Sequence, residues 1–264
     1  MKLESCNAQG RAALAAVLGD SPTTTTMVHL LHRNLCVAYV LGDAGSPLAA
    51  AAFSTIRPRT AVVFGEDAAA LWSLLQAVPG WETVNVAGEQ AEALRAAMER
   101  DLAVPVERRG DMYFVLNGRP ADLSHPLVRR LTAEDIELIE EAPPPLQQGR
   151  LFGGPVGLLR EGIMAGAIDT GTLVATAHTS TLTAGYADIG VVTLESYRRQ
   201  GIAAAAASLV CRAVQGIGRR PVWNCADDNV ASVRLAGKLG FVPIERRVEF
   251  TPIRPHARAA SAGW

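Results

Sequence analysis

The chain has 264 residues, a formal net charge of −1 and a pI of about 6.5, and 49% of its residues are hydrophobic. This length and hydrophobic content suit one large or two small domains with a sizeable core. The balanced charge excludes a global attraction to nucleic acid or to an acidic surface, so nucleic-acid binding would need a local basic patch.

The residues that could ligate metal or form disulfides are sparse. His29 and His32 lie three residues apart without a third ligand, so no metal site is expected. The start of the chain lacks the apolar segment of a signal peptide, and no apolar run has the length of a membrane helix. A cytoplasmic protein without membrane contact is therefore expected. Free thiols in a reducing compartment are predicted for the four cysteines, Cys6, Cys36, Cys211 and Cys225.

The first 116 residues alternate strand and helix patterns in the order β-β-β-α-β-α-β-β, after short helix candidates within residues 1–20 and 27–34. Asn117–Pro126 contains glycine and two prolines and is predicted to be a linker. The predicted strands are Leu35–Leu41, Leu48–Ile56, Thr60–Phe64, Trp81–Val86, Val104–Arg109 and Met112–Leu116, and the helices are Asp67–Ala77 and Glu89–Leu102.

The second half begins with a short strand at Leu127–Leu131 and a helix that starts near Thr132, whereas Leu146–Glu161 is glycine-rich and has no clear pattern. A strand pair around Gly171 follows. The later elements are a central strand Tyr186–Leu194, a helix Ala203–Gly216, a strand Pro221–Ala226, a helix Asn229–Leu239 and a last strand Phe241–Phe250.

The turn between the central strand and the next helix is basic and contains glycine, with the sequence Arg198-Arg-Gln-Gly-Ile-Ala203. The first backbone N–H groups of a helix have no intrahelical partner, and the helix dipole attracts an anion to them. Gly201 would let a ligand approach the backbone closely because it has no Cβ. This stretch therefore indicates a phosphate-binding turn, although it matches neither the Walker nor the dinucleotide pattern.

Arg198-x-x-Gly201-x-Ala203, between a strand and a helix, resembles the pyrophosphate loop of the GNAT acyltransferase superfamily. A second block, Asn229-Val-Ala-Ser-Val-Arg-Leu-Ala-Gly-Lys-Leu-Gly-Phe241, is similar to a later helix of that family. The resemblance implies an α/β (α+β) fold of two GNAT-like domains, residues 1–120 and 121–264, each a mixed, mostly antiparallel sheet flanked by helices. The C-terminal domain should contain a splayed central strand.

The first half looks like a degenerate copy of the second, as in the glycine N-acyltransferase-like branch and a related bacterial branch of the superfamily. Its turn at the corresponding place, Phe64-Gly-Glu-Asp-Ala68, is acidic and would repel a pyrophosphate. The resemblance therefore implies that only the second half binds the cofactor.

The family plan also implies a set of cofactor contacts. Backbone groups of the central strand would pair with the acyl-CoA pantetheine, and loop amides would hold its pyrophosphate. Asn229 and Ser232 would contact the pantetheine arm or the phosphates. The strand residues are Val191, Val192 and Thr193, and the loop residues are Arg198, Arg199, Gln200, Gly201, Ile202, Ala203 and Ala204.

Two catalytic positions of many family members differ in this sequence. Ala236 stands where a tyrosine can protonate the thiolate, and Asn224 stands where a carboxylate can act as base, so Asn224 could only orient a water. His178 is the first candidate base, because the unperturbed pKa of histidine suits the task. The other candidate bases are Asp188, Glu195 and Asp169, and the candidate thiolate donors are Ser232 and Cys225.

The sequence thus predicts an acyl-CoA-dependent N-acyltransferase, most simply using acetyl-CoA, in which a small-molecule amine attacks the thioester directly. Acylation of a protein N-terminus or of an aminoacyl-tRNA is the first alternative, and a non-catalytic acyl-CoA-binding protein is the second. The near-neutral charge argues against a tRNA partner. A homodimer is compatible with the sequence.

Overall fold

Residues 3–253 are described by the computed structural model, in which twelve strands form one continuous sheet between two layers of helices. The strands are β1 Leu3–Ser5, β2 Cys36–Asp43, β3 Ser46–Ser54, β4 Arg57–Phe64, β5 Thr83–Ala87, β6 Val106–Val115, β7 Val128–Arg130, β8 Met164–Asp169, β9 Thr172–Leu182, β10 Tyr186–Thr193, β11 Arg220–Ala226 and β12 Val242–Pro252. The helices are α1 Ala8–Leu18, α2 Thr25–His32, α3 Ala68–Ala77, α4 Gly88–Leu102, α5 Ile136–Glu140, α6 Pro155–Glu161, α7 Ile202–Gly216 and α8 Val230–Leu239.

The two halves of the chain exchange one strand each at the centre of this sheet. The strand order is β1-β2-β3-β4-β5-β12-β6-β11-β10-β9-β8-β7, so β12 lies beside β5 of the first half and β6 lies beside β11 of the second half. β6 and β12 pair with each other from Val115 opposite Val242 to Val106 opposite Pro252. Each half therefore covers an edge that would otherwise expose unpaired backbone groups.

The exchange relates the halves by an approximate two-fold symmetry. In each half one parallel pair of strands extends for three residue pairs and then separates. In the first half β4 and β5 separate after Val62, which is opposite Asn85. In the second half β10 and β11 separate after Asp188, which is opposite Val222. Two residues beyond these points, Ala87 faces Arg247 of β12, and Asn224 faces Tyr113 of β6. Arg247 and Tyr113 consequently occupy equivalent positions.

The helices divide between the faces of the sheet in a regular way. α3 and α4 pack on one face in a core that includes Val248, and α7 and α8 pack on the same face in a core that includes Phe114. α1 and α2 pack on the other face of the first half, and α5 and α6 pack there in the second half. Between these two helix pairs, polar side chains cover the middle strands: Asn85, Asp111, Tyr113, Asp188, Asn224, Glu245, Arg247 and Glu249.

The predicted fold class is confirmed, including the splayed central strand. The prediction of separate strands at Val104–Arg109 and Met112–Leu116 is wrong, because β6 continues through Gly110, whose backbone pairs with Val248. A Cβ at Gly110 would displace the Asp227 and Arg246 side chains, which form an ion pair above it. The unassigned glycine-rich segment contains α6 and short 3₁₀ turns. The division into domains at residue 120 stays a prediction.

In the part of the chain that the structure describes, none of the helices combines the length and apolarity that a membrane crossing requires.

Candidate active site

The strands β10 and β11 open a cleft in the second half. They pair only at residues 186–188 of β10, whereas β9 pairs with β10 as far as Thr193. Beyond Asp188 the edge of β10 that faces β11 has no strand partner, so alternate backbone N–H and C=O groups there are open to a ligand. The Thr193 hydroxyl is buried and makes no hydrogen bond to a described residue. Val191, Val192 and Thr193 lie along this open edge, and their contacts with a pantetheine stay predictions.

The turn before α7 holds its backbone amides away from protein acceptors. Among the described residues, the N–H groups from Arg199 to Ala204 make no hydrogen bond, and the first paired amide is that of Ala205, 3.0 Å from the Gly201 oxygen. Arg199 and Gly201 have φ angles of 62° and 85°, which turn the chain sharply into the helix. Such a run of free amides at a helix N-terminus is suited to a diphosphate.

The side chains of this turn stabilise its shape. Arg198 Nε donates to the Thr193 oxygen at 3.4 Å, and Gln200 Nε2 donates to the Ser196 oxygen at 3.1 Å. The Arg199 side chain makes no hydrogen bond or ion pair to a described residue, so its charge is available to an anion. The predicted loop residues are therefore brought together around one opening, with Ile202 buried beneath it.

Asn229 and Ser232 lie at the start of α8, beside β11. Asn229 Oδ1 accepts a hydrogen bond from Ser232 N at 3.1 Å, so Asn229 is the N-cap of α8. The Ser232 hydroxyl accepts a hydrogen bond from Trp223 Nε1 at 2.9 Å and also interacts with the Cys225 thiol. Contacts of either side chain with acyl-CoA stay predictions.

Asp188 is a buried carboxylate at the point where the strands separate. Asn224 Nδ2 donates to its Oδ1 at 3.0 Å, and the Ser180 hydroxyl donates to its Oδ2. Ser180 reaches it because the pairing of β9 and β10 shifts by one residue between Asp188 and Ile189. Burial raises the pKa of Asp188 to about 6, against the opposing effect of these hydrogen bonds. Asn224 therefore contributes to the site by donating a hydrogen bond to Asp188. From the sequence, Asp188 is only a secondary candidate base after His178.

His178 lies two residue positions from Asp188 along the same face of the sheet. Its ring stands over Gly190 of β10, where a Cβ would lie 2.7 Å from His178 Cε1. The side chain is 5% exposed, and its Nδ1 has no hydrogen-bond partner among the described residues. Burial lowers the pKa of His178 to about 4, so the ring is neutral at physiological pH and is a weak proton acceptor.

Tyr113 enters the site from the first half of the chain. It lies on β6 opposite Asn224, and its hydroxyl makes no hydrogen bond to a described residue. Burial raises the pKa of Tyr113 to about 12; nearby Arg247 lowers it, whereas Asp111, Asp188 and Glu245 raise it further. The sequence carried no signal for Tyr113, because its position depends on the strand exchange.

Arg247 occupies part of the equivalent cleft of the first half, where a cavity of about 670 Å³ remains. Its Nη2 donates to the backbone oxygens of Val63 at 2.9 Å and Asn85 at 3.2 Å, and its Nε donates to Asn85 Oδ1 at 2.6 Å. These oxygens belong to the two strands that separate in this half, so the guanidinium bridges the two strands beside that cavity. The Asp67 side chain also accepts a hydrogen bond from Ala69 N at 3.0 Å and so caps α3. Its negative charge at this helix N-terminus disfavours the binding of an anion there.

Nothing in residues 3–253 groups three metal-ligating side chains together. The four cysteines are free, and all but Cys225 are buried. Burial raises the pKa of the Cys225 thiol, which makes it a poor nucleophile at neutral pH.

Comparisons with known proteins agree with this geometry. Residues 131–247 match the family model of the GNAT acetyltransferases, whereas no curated protein matches the chain significantly. An acetyltransferase of the GNAT family from Colwellia psychrerythraea is 15% identical with a TM-score of 0.62, covering 96% of this chain and 100% of that one. A GCN5-related N-acetyltransferase from Kribbella flavida is 17% identical with a TM-score of 0.62, covering 94% and 96%.

The same fold, with both halves, occurs in a tandem GNAT protein from the clavulanic acid biosynthesis pathway. That protein is 17% identical with a TM-score of 0.56, and the alignment covers 95% of this chain and 98% of that one. At this level of identity the solved structures show a shared fold only. The second half of the chain thus matches the GNAT acetyltransferase model over residues 131–247, and the whole chain has the fold of these GNAT proteins.

Proposed function

We propose that the protein is an acyl-CoA-dependent N-acyltransferase, with acetyl-CoA as the simplest donor and an amine as the acceptor. The observation that carries this proposal is the run of unpaired amides from Arg199 to Ala204 beside the open edge of β10. The unpaired amides can bind a pyrophosphate, and the open edge of β10 can pair with the extended, amide-containing pantetheine arm. The acyl-CoA would supply the thioester that the acceptor attacks.

Asp188 is the group best placed to accept the proton of the attacking amine. The amine nitrogen bonds to the acyl carbon, the carbon–sulfur bond breaks, and the electron pair leaves with sulfur. The amine gives its proton to Asp188, while the Ser232 hydroxyl can donate to the departing thiolate. With a pKa of about 6, Asp188 is ionised at neutral pH and retains a usable affinity for a proton. The exposed amide of Asn224 keeps the carboxylate turned toward the cleft.

The proposal is tested by substituting Gly201 with aspartate. Gly201→Asp places a negative side chain at the amides and should abolish acetyl-CoA binding in calorimetry, together with amine-dependent thiol release. Gly80→Asp is the matched control, because Gly80 has a φ of 84° and, like Gly201, has no atom within 4 Å of a built Cβ. Equal binding of acetyl-CoA by the two variants would reject the assignment of the turn.

The same measurements separate the proposed enzyme from a protein that only binds acyl-CoA. A binder would show Gly201-dependent affinity without thiol release for any amine. A transferase would show both, and mass spectrometry of the acceptor would locate the acyl group on nitrogen.

A further inference from the structure

The inner end of the cleft is the place where the acyl group of a bound acyl-CoA would lie. The turn at residues 199–204 follows the C-terminal end of β10, and the open edge of β10 extends back from Thr193 to Ile189. These four steps along a strand cover about 13 Å. An arm that begins at the turn and follows this edge therefore ends beside Asp188, where β10 and β11 join.

One face of the sheet is already filled at this inner end. Ile189 of β10 and Trp223 of β11 are buried in the core under α7 and α8. Side chains alternate along a strand, so Asp188 and position 190 belong to the opposite face. Position 190 is a glycine and contributes no side chain. The acyl chain therefore has to extend onto the face of Asp188, above Gly190.

The imidazole ring of His178 occupies the space above Gly190. His178 lies on β9 opposite Gly190, and its ring leans across onto β10. A Cβ at Gly190 would lie 2.7 Å from Cε1 and 2.9 Å from Nε2 of this ring, but 3.5 Å from Nδ1. The Cε1–Nε2 edge of the ring therefore lies above β10, on the side from which the cleft opens.

No hydrogen bond within the protein accounts for this histidine. Neither ring nitrogen bonds to a described residue, and Nδ1 is buried. Burial also lowers the pKa of His178 to about 4, so the ring is uncharged at neutral pH and presents a neutral surface to an apolar chain. A buried nitrogen without a partner is unfavourable, which indicates that the ring is useful for the volume that it fills.

We propose that His178 determines the length of the acyl group, because its ring forms a wall of the acyl site that admits acetyl and excludes chains of four or more carbons. This inference rests on the proposed acyl transfer. An arm in the position of a neighbouring strand lies about 5 Å from β10. Carbon atoms without a bond between them touch at about 4 Å. The gap between the arm and the ring therefore holds a methyl group but not a longer chain.

The test compares acetyl-CoA with butanoyl-CoA as donors to the same amine. In the wild type, thiol release should give a kcat/KM for acetyl-CoA at least tenfold above that for butanoyl-CoA. His178→Ala opens the space of the ring, and each methylene group that it buries contributes about fourfold. The two additional methylene groups of butanoyl-CoA should therefore raise its kcat/KM relative to acetyl-CoA at least tenfold in this variant.

Two further variants distinguish the volume of the ring from other effects. His178→Phe keeps a ring and removes both nitrogens, so it should keep the preference for acetyl-CoA. Leu173→Ala also truncates a fully buried side chain of β9, but about 17 Å from His178, and should keep the wild-type ratio of the two donors.

Calorimetry of the two thioesters without an acceptor keeps this inference separable from the proposed function. A gain of at least tenfold in the affinity for butanoyl-CoA relative to acetyl-CoA in His178→Ala, without turnover of any amine, would support the inference and reject the transferase. Equal use of the two donors by the wild type would overturn the inference and leave the transferase intact. So would loss of the preference in His178→Phe, and both of these results can be obtained even if His178→Ala does not fold. An unchanged ratio in His178→Ala, or an equal change in Leu173→Ala, would overturn it as well.

Discussion

Substitution of Asp188 by asparagine should stabilise the protein at neutral pH and at the same time remove most of its acyl transfer. The carboxylate is buried between Ser180 and Asn224. Asparagine has the same shape and mimics the protonated acid, because its Oδ1 can accept from Asn224 and its Nδ2 can donate to the Ser180 hydroxyl. The variant therefore keeps both hydrogen bonds and loses the cost of burying a charge.

The magnitude follows from the displaced pKa. Burial raises the pKa of Asp188 from 3.8 to about 6. Because the folded state binds the proton more tightly than the unfolded chain, the contribution of Asp188 to the free energy of unfolding is greatest at low pH and declines as the pH rises from the unfolded pKa to the folded one. Above both values the ionised side chain costs about 3 kcal/mol relative to a neutral isostere.

Urea unfolding of wild type and Asp188→Asn at about pH 8 and about pH 4 measures this difference. The variant should be more stable by about 3 kcal/mol at the higher pH and by less than about 1 kcal/mol at the lower. In the wild type, kcat/KM should increase with pH up to an apparent pKa near 6, and the variant should lack this limb. A variant that is less stable than wild type at both pH values would refute the buried-charge reasoning, and an unchanged rate profile would refute the role in proton transfer.

Three other substitutions test neighbouring parts of the structure. Arg247→Met should lower the free energy of unfolding by about 3–5 kcal/mol in urea, because buried oxygens of Val63 and Asn85 lose their donor, whereas calorimetry should still give one acetyl-CoA per chain. Asn229→Ala should cost about 1 kcal/mol through loss of the α8 cap, and a cost near zero would show that Ser232 N is satisfied otherwise. His178→Gln should leave the pH dependence of kcat/KM near neutrality unchanged, since the pKa of His178 is about 4. A change in that pH dependence would indicate that His178 is the base.

The parts of the site that one short stretch determines could be predicted from the sequence. The turn before α7 combines β-branched residues, a glycine and a following helix within a dozen positions, and its free amides result from that local order alone. The cap at Asn229 is local for the same reason. Local propensity and capping act over a few residues, so their outcome can be predicted without knowledge of the fold.

The remaining parts depend on contacts between distant strands. The raised pKa of Asp188 results first from its burial between distant strands, which the sequence does not reveal. The opposing hydrogen bond from Ser180 depends on a one-residue shift between β9 and β10, which side-chain alternation does not reveal either. Tyr113 precedes Asn224 by more than a hundred residues and reaches it only because β6 leaves its own half. Gly110 in the middle of β6 also suggested two strands, because a glycine in a strand resembles a turn signal when its packing partners are unknown.

The strand exchange also gives the two halves different side chains at the points where their parallel strands separate. Both halves separate their parallel strands after three pairs, so both create unpaired backbone groups that must be satisfied. In the first half β12 brings Arg247, whose guanidinium bonds to the backbone oxygens of Val63 and Asn85 and satisfies them. In the second half β6 brings Tyr113, whose hydroxyl leaves the cleft unfilled, and the backbone groups of β10 remain for a substrate. Each half thus receives from the other the side chain that lies where its parallel strands separate.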